Sequence, residues 1–342
     1  MPHQPASAAL QRFRVIDLTQ VRAGPTACRQ LADWGADVIQ VQMPEHMRGD
    51  DTLGGQDGSD YQYTHRNKRS ITLNLKEAAG IATLKRLIAS ADVVVENFRP
   101  DVKFRLGIDY ETLAATQPAL VYCSISGFGQ TGPLASRPGF DQIAQGMSGL
   151  MSVTGLPGQG PVRSGHAVAD SSSGVYLAFG ILAALIRRDR TGEGAWVRTS
   201  LLEALVAMLD FQAARVLIEG DVPAQQGNHH PTAVPMGTFP ASDGVFNLAP
   251  GTNAHFRSVC EVLGHAEWAD DERYARPGAR AKRRTEVNDL IGAVTATRPA
   301  AEWIEAFLAA GVPAGPVLDL GEMWAHPQLQ ALGLAQPIEH PN

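Results

Sequence analysis

The sequence has few cysteines, few charged residues and no long apolar run. Its three cysteines, Cys28, Cys123 and Cys260, lie far apart and show no C-x-x-C spacing, so neither a disulfide framework nor a cysteine metal site is indicated. Each has apolar neighbours, which predicts a buried and reduced side chain. The longest apolar run, Val175 to Ile186, is far shorter than the ~20 residues needed to cross a bilayer. This run therefore predicts a buried helix and no membrane association.

The chain also lacks an excess of positive charge and a secretory signal. Its formal net charge is −6 over 342 residues, which gives no general attraction to a polyphosphate backbone, so nucleic-acid binding is not expected. Residues 1–10 contain no cationic start followed by an apolar block. Hydrophobic residues make up 44% of the chain and charged residues 19%, as in globular enzymes. These features predict a soluble, cytoplasmic protein.

Several familiar catalytic and cofactor signatures are absent or out of place. The histidines form no H-E-x-x-H or other metal-ligand pattern, and no G-x-S-x-G element predicts a serine hydrolase. Gly127 to Gly132 match G-x-G-x-x-G after a predicted strand. However, Pro133 follows at once, and a dinucleotide motif belongs to the first βα turn. We therefore expect no metal here, and a tight loop whose backbone approaches a ligand closely.

Apolar strands alternate with helical patterns in the first half of the chain. Strands are predicted at residues 14–19, 37–41, 70–75, 92–96 and 120–124. Helices are predicted at 26–34, after a Gly24-Pro25 break, and at 77–90. This alternation is typical of a mostly parallel sheet covered on both faces. Two long helices, 171–188 and 200–219, then flank a short strand.

A Pro-containing segment, residues 223–235, separates this half from a second region. Asp243-Gly244 predicts a β-hairpin, because this pair supplies the positive φ of a tight turn. Helical patterns follow, at 254–263, 285–297 and 300–310. The sequence thus predicts an α/β fold with a second, smaller α+β domain.

Asp170 lies shortly before the apolar run that begins at Val175. From the pattern alone, the commoner role for an aspartate at this place is a helix N-cap, worth ~1 kcal/mol. A carboxylate at a helix N-terminus also feels the positive end of the macrodipole, which keeps it ionised, and it can act as a nucleophile on an activated acyl group. The two roles are compatible, and the pattern permits catalysis without selecting it.

A series of short motifs runs in order along residues 13–330. They are Val15 to Pro25, Leu31 to Ile39, Asn67 to Leu73, Glu96 to Pro100, Ser126 to Pro133, Gly139 to Asp141, Ser148 to Ser152 and Val168 to Asp170. Together they resemble the family III CoA-transferases, which include formyl-CoA, carnitine and dicarboxylate CoA-transferases and have α-methylacyl-CoA racemase as a relative. The resemblance implies a Rossmann-like large domain over residues 1–222, a small α+β domain over 223–330 and an interlocked homodimer. Residues 331–342 are then expected to be the start of a truncated C-terminal return segment.

The same resemblance implies which residues form the site. Asp170 falls on the family's nucleophile. Five residues fall on positions that bind the adenosine and phosphate end of coenzyme A: Leu73, Lys76, Asn97, Phe98 and Arg105. Lys and Arg can pair with phosphate, and an aromatic face can stack on adenine. Gly251 falls in the family's mobile glycine-rich loop, although this segment carries only one glycine.

Two positions bear on the reaction and on the substrate. The racemase branch has a histidine in a Gly-His-Asp motif where this chain has Phe140 followed by Asp141, so two-base α-proton exchange lacks its histidine. Arg22 replaces the active-site glutamine of formyl-CoA transferase. An arginine there suits a second carboxylate through a bidentate pair, unless it is a surface charge. We expect Arg22, Phe140, Asp141 and Gly251 to contact the substrate, a dicarboxylic acyl group such as succinyl, mesaconyl or malyl.

The sequence thus predicts an enzyme that transfers coenzyme A from an acyl-CoA donor to a carboxylic acid acceptor. The resemblance implies anhydride and aspartyl-CoA thioester intermediates on Asp170. Coenzyme A thioesters are substrates in this scheme, and no permanently bound cofactor is expected. Two alternatives stay open: an acyl-CoA racemase or isomerase of the same superfamily, and a catalytically impaired CoA-binding protein.

Overall fold

The computed structural model describes residues 6–47, 55 and 58–337. Within these residues the chain forms two compact units. The first unit comprises residues 6–152 and 162–222, without the undescribed residues between 47 and 58. The second comprises Val153–Pro161 and residues 223–337. Each unit has its own apolar core, and each is taken by itself below.

The first unit is built on a six-stranded parallel sheet. Its strands are β1 (Arg14–Asp17), β2 (Asp37–Gln42), β3 (Arg69–Thr72), β4 (Val93–Glu96), β5 (Val121–Ser126) and β6 (Ala195–Ser200). Their order is β3-β2-β1-β4-β5-β6, and every neighbouring pair is parallel. This is the order of a Rossmann-type doubly wound sheet, in which the direction of winding reverses between β1 and β4. The predicted Rossmann-like α/β fold is confirmed.

Helices connect and cover these strands. They are α1 (Ala23–Asp33), α2 (Ser59–His65), α3 (Ala78–Ala89), α4 (Pro100–Leu106), α5 (Tyr110–Ala114), α6 (Asp141–Met147), α7 (Leu150–Val153), α8 (Val168–Thr191), α9 (Leu201–Met208) and α10 (Phe211–Ala214). Side chains alternate along the central strands: Val15 belongs to a core shared with α1 and α8, and Ile16 to a second core shared with α3. Because both faces are covered, nearly all residues of the central strands β1, β4 and β5 are buried.

Helices α1 and α8 pack together at a glycine. A Cβ atom on Gly174 would lie 2.7 Å from the carbonyl oxygen of Ala23 and 2.8 Å from the Cβ of Thr26. Only glycine lets the two helices approach so closely. The first turn of α8, which contains Asp170, is therefore held beside the first turn of α1, which follows Arg22.

Two predicted helices differ from the observed ones. Helix α1 begins at Ala23 and includes the predicted Gly24-Pro25 break. Pro25 is tolerated because it lies in the first turn, where its missing N–H has no partner within the helix. The predicted helix over 200–219 is interrupted next to Asp210, whose φ is 47°. A residue with positive φ cannot continue an α-helix, so α9 ends before Asp210 and a separate short helix, α10, follows it.

The second unit contains a three-stranded antiparallel sheet. Its strands are β7 (Gly237–Ala241), β8 (Gly244–Leu248) and β9 (Ala314–Pro316), in the order β7-β8-β9. The helices are α11 (Asn253–Val262), α12 (Pro277–Lys282), α13 (Arg284–Thr295), α14 (Ala300–Ala309), α15 (Leu320–Ala325) and α16 (Pro327–Leu332). The predicted hairpin is confirmed, and Trp303 is the largest buried side chain. Cys260 is buried and free here, as Cys28 and Cys123 are in the first unit, which confirms their predicted burial.

Among the described residues, one helix, α8, is long and apolar enough by length and composition to cross a membrane. The apolar run noted in the sequence, Val175 to Ile186, is shorter than the helix itself, because polar residues occupy both ends of this 24-residue helix. One side of α8, with Leu177, Ile181 and Leu185, is part of the core beneath the parallel sheet. Phe179 and Ile186 are exposed. Helix α8 is therefore a core helix of the first unit that also presents an apolar surface.

Candidate active site

A cleft of about 380 Å³ opens in the first unit at the carboxyl ends of β1, β4 and β5. The strand order reverses there, and doubly wound sheets bind ligands at this point because the loops after neighbouring strands diverge. The lining comes from residues 20–23, 97–100, 125–127, 135 and 137–140, with Asp170 and Leu201. The cleft thus brings together several of the motifs that were far apart in sequence.

Asp170 lies in the first turn of α8 and lines this cleft. The helix begins at Val168 rather than at Ser171, so the prediction that Asp170 is the N-cap was wrong. The apolar pattern hid this start, because only Ala169 continues the buried face into the first turn. Among the described residues, none donates a hydrogen bond to the Asp170 carboxylate. The group is therefore held in place by its helix and stays available to a ligand.

The surroundings of Asp170 raise its pKa to about 6. Burial is the largest cause, because it removes water from the charged carboxylate, and the negative charge of Asp141 adds to the effect. Arg22 opposes the rise, and Asp60 reinforces it. A carboxylate with this pKa is more basic than an ordinary aspartate and is still mostly ionised at neutral pH. Both properties suit a nucleophile.

Asp141 holds the start of α8 in position. Its Oδ1 accepts a hydrogen bond from the backbone N–H of Ala169 at 2.8 Å, and its Oδ2 accepts one from Nε2 of Gln145 at 2.7 Å. Helix α8 has no side-chain cap of its own at Ala167, so Asp141 supplies a cap from α6. Substrate contact by Asp141 remains a prediction. The observed contacts make this buried side chain a support for the turn that carries Asp170.

Arg22 lies at the N-cap position of α1 and lines the same cleft. Its guanidinium pairs with the carboxylate of Asp60 in the first turn of α2. The preceding residue, Val21, has a φ of 67°, a conformation that β-branched residues rarely adopt. Such strained residues concentrate at functional sites. Arg22 is therefore not only a loop-surface charge, because it faces the cleft that contains Asp170.

Asn97, Phe98 and Phe140 also line the cleft. The Asn97 side chain joins the loops after β1 and β4: its Oδ1 accepts from the backbone N–H of Gln20 at 3.0 Å, and its Nδ2 donates to the carbonyl of Gln20 at 2.7 Å. Phe140 is 63% exposed and offers an aromatic face. The structure therefore gives Asn97 a tethering role, while the two phenylalanines provide surface for a ligand.

A buried lysine supports this wall from behind. The side chain of Lys103 is 1% exposed, and its Nζ donates to Oε1 of Glu96 at 3.0 Å and to Oε1 of Gln130 at 2.5 Å. Oε2 of Glu96 in turn accepts the backbone N–H of Phe98 at 2.8 Å. Lys103 thereby links the end of β4 to the loop after β5. Removing one partner of such a buried pair costs ~3–5 kcal/mol.

The loop over Gly127 to Gly132 is tight, as predicted. A Cβ atom on Gly127 would lie 2.6 Å from the Cα of Gly139, so two backbone segments meet directly in the cleft wall. A dinucleotide motif needs a helix that begins at its last glycine. Here no helix follows Gly132 before α6 begins at Asp141. The glycines therefore shape the wall of the cleft.

Other predicted site residues lie elsewhere. Lys76 and Arg105 are exposed and do not line this cleft, and Leu73 packs at the edge of the core shared with α3. Gly251 belongs to the second unit, where its backbone N–H donates to Nδ1 of His255 at 3.2 Å, immediately before α11. The glycine loop expected there is thus short and hydrogen-bonded to the helix that follows it.

Three further residues near Asp170 were not predicted from the sequence. Arg99 and Arg137 line the cleft and provide two guanidinium groups of the kind that pairs with phosphate. Both lie within or beside motifs that were recognised, but an isolated arginine has the same pattern as a surface charge. No sequence pattern marks Asp60 as a site residue, because its pairing with Arg22 depends on how α2 lies against α1. The cleft can therefore hold a ligand with several anionic groups and place a carbonyl beside Asp170.

Comparisons with known proteins agree with this chemistry. A family model described as CoA-transferase family III matches residues 10–342. The chain is 44% identical over 342 residues to the succinate–glutarate CoA-transferase of Agrobacterium fabrum, and the aligned region covers 96% of this chain and 85% of that protein. It is 36% identical to the succinyl-CoA:glutarate CoA-transferase of Homo sapiens, and the aligned region covers 97% of this chain and 77% of that protein. A crystal structure of a CaiB/BaiF family protein from Brucella suis is similar with a TM-score of 0.81 at 36% identity, covering 99% and 93% of the two chains.

Proposed function

This chain belongs to CoA-transferase family III, and on that basis we propose that it moves coenzyme A between dicarboxylic acids through Asp170. The observation that carries the proposal is the placement of Asp170 and Arg22 in one cleft at the switch point of the sheet. The carboxylate is a nucleophile and the guanidinium a partner for a second carboxylate. Racemisation has less support, because Phe140 has no proton to exchange and the relatives compared are transferases.

The substrate class rests on Arg22 together with the relatives. The bacterial and human relatives are named for succinate and glutarate, which carry two carboxylates each. One carboxylate of such an acid forms the thioester, and the other stays charged. Arg22 lines the same cleft as Asp170, so we propose that its guanidinium pairs with this distal carboxylate. Succinyl and similar short dicarboxylic acyl groups are therefore the proposed substrates.

The proposed reaction has four steps. The Asp170 carboxylate attacks the donor thioester and forms a mixed anhydride, which releases the CoA thiolate. The thiolate attacks the Asp170 carbonyl, which forms an aspartyl-CoA thioester and releases the donor acid. The acceptor carboxylate then attacks this thioester, giving a new anhydride and thiolate again. Finally the thiolate attacks the acceptor carbonyl, which yields the new acyl-CoA and restores the Asp170 carboxylate.

The walls of the cleft suit the rest of coenzyme A. Arg99 and Arg137 supply positive charge for phosphates, and Phe98 and Phe140 supply aromatic surface. The roles of Lys76, Arg105 and Leu73 remain predictions from the resemblance. The thioester energy is conserved through the four steps, so the scheme needs no permanently bound cofactor.

A homodimer also remains a proposal, and the surface of the first unit supports it. Large apolar side chains are exposed along α8 and after α10, among them Phe179, Ile186, Leu217 and Ile218. Exposed apolar surface of this extent is typical of an interface with another chain. Equilibrium sedimentation of the purified protein tests the proposal, which a monomer at micromolar concentration would contradict. The cytoplasmic location stays a prediction.

The function is tested with a panel of acyl-CoA donors and acids, with the products identified by mass spectrometry. We expect transfer from succinyl-CoA to glutarate, and none in an Asp170→Asn variant. Arg22→Gln should lower kcat/KM for glutarate by about 10- to 100-fold, because a charge-assisted hydrogen bond contributes ~1.5–3 kcal/mol. It should affect pentanoate, the monocarboxylate with the same carbon chain, by less than about threefold. Equal losses of kcat/KM for both acids would show that Arg22 does not bind the second carboxylate.

A further inference from the structure

Arg22, which lines the cleft, is already paired with a carboxylate of the protein itself, that of Asp60. Asp60 pairs with the guanidinium, and the two side chains are 25% and 28% exposed respectively. Asp60 also acts on Asp170 through its charge, so the ion pair lies within electrostatic reach of the nucleophile. A dicarboxylic acid that enters the cleft therefore meets an arginine whose charge is already compensated.

The two protein carboxylates near Asp170 differ in how firmly they are held. Asp141 is buried and accepts hydrogen bonds from Ala169 and Gln145, so it cannot move without releasing the start of α8. Asp60 is more exposed, and among the described residues its carboxylate has Arg22 as its ion-pair partner.

The backbone of Asp60 is fixed, whereas its carboxylate is not buried. Its carbonyl accepts a hydrogen bond from Oγ1 of Thr64 at 2.8 Å, one turn further along α2. The Asp60 carboxylate can thus leave Arg22 by a rotation of its own side chain, and α2 does not have to move. When a substrate carboxylate replaces that of Asp60, the guanidinium of Arg22 loses one carboxylate partner and gains another, so the exchange is close to balanced.

From this arrangement we propose that Asp60 sets the acceptor specificity by occupying the place on Arg22 that the distal carboxylate of a dicarboxylic acid takes. The inference rests on the proposed role of Arg22 in binding that carboxylate. A dicarboxylate exchanges one Arg–carboxylate pair for another, so it gains less from Arg22 than an unpaired arginine would give. A monocarboxylate leaves the Asp60–Arg22 pair intact. Asp60 therefore lowers the preference for dicarboxylates below the value that Arg22 alone would set.

The test compares glutarate with pentanoate as acceptors, with one fixed acyl-CoA donor. Asp60→Asn keeps the size of the side chain and removes its charge. We expect the ratio of kcat/KM for glutarate to that for pentanoate to rise by about tenfold, mainly through a lower KM for glutarate. Asp60→Glu retains a carboxylate and should return the ratio to within about threefold of the wild-type value. In an Arg22→Gln background, Asp60→Asn should leave the ratio unchanged, since the shared partner is gone.

The matched control is Asp189→Asn. Asp189 pairs with Arg12 near the opposite end of α8, about 28 Å along the helix from Asp170 at 1.5 Å per residue. Its loss should leave the ratio at the wild-type value. A lower glutarate preference in Asp60→Asn would overturn the inference, because Asp60 would then orient Arg22 rather than compete for it. A ratio that does not change in Asp60→Asn would overturn it as well.

Trapping of the aspartyl-CoA intermediate with donor alone separates this inference from the proposed function. No acceptor takes part in that step, so Asp60→Asn should still form the intermediate on Asp170. Trapping in this variant together with an unchanged ratio means that only the role of Asp60 is wrong. Absence of the intermediate in the wild-type protein would mean that the proposed function itself is wrong.

Discussion

The raised pKa of Asp170 implies that the ionised nucleophile makes the folded protein less stable. The pKa rises from 3.8 to about 6, or roughly two units, and each unit corresponds to about 1.36 kcal/mol. The upper limit of the cost is thus ~3 kcal/mol, and partial exposure to solvent lowers it to ~1–2 kcal/mol. The folded protein binds this proton more tightly than the unfolded chain does. The cost is therefore complete above the folded pKa and disappears below the unfolded pKa.

Asp170→Asn removes the charge with almost no change in side-chain volume. At about pH 7.5 we expect the variant to be more stable than the wild type by ~1–2 kcal/mol and to have no transfer activity. The difference should shrink as the pH falls through about 6 and vanish near about pH 3.8. Urea unfolding curves of both proteins, recorded over this pH range, measure the difference directly.

Asp189→Asn again provides the control, since this carboxylate is paired with Arg12 at the opposite end of α8 from Asp170. It should not stabilise the protein at any pH. An Asp170→Asn variant that is less stable than the wild type at neutral pH would refute the reasoning, because burial would then not penalise the charge of Asp170.

Three further predictions concern the nucleophile and its supports. The kcat/KM of the wild type should rise with pH through an apparent pKa near 6, because Asp170 ionises there. A flat pH profile of kcat/KM from about pH 5 to about pH 8 would contradict this assignment. Asp141→Ala should lower the free energy of unfolding by ~1 kcal/mol through the lost cap on Ala169, and it should lower kcat at least about tenfold; a variant with full kcat would show that the cap does not position Asp170. Lys103→Met should lower the free energy of unfolding in urea by ~3–5 kcal/mol, because the buried carboxylate of Glu96 loses its lysine partner. A change below ~1 kcal/mol would contradict the stabilising role of this buried ion pair.

The parallel sheet could be predicted from the sequence because its strands are short, apolar and separated by helical patterns. Val15 and Ile16 face opposite cores, and this burial on both faces produces the continuous apolar runs that were recognised. The ends of elements were predicted less well. The N-terminus of α8 was predicted three residues too late, because the residues around Asp170 are small or polar and carry no strong period.

The site could be predicted only in part. Asp170 and Arg22 were singled out by resemblance to a family, and periodicity alone supported no more than a cap for Asp170. The pairing of Arg22 with Asp60 and the capping of α8 by Asp141 could not be predicted, since each joins polar groups from separate helices. Sequence patterns show which face of an element is buried, but they do not show which polar groups meet across elements.

Asp170 carries the covalent intermediate in the proposed mechanism, and chemical trapping of that intermediate detects it. The purified protein is incubated with succinyl-CoA and no acceptor, treated with hydroxylamine or borohydride, digested and analysed by mass spectrometry. We expect modification of Asp170 that depends on the donor and is absent in Asp170→Asn. Modification at another residue, or full transfer activity in Asp170→Asn, would contradict the claim.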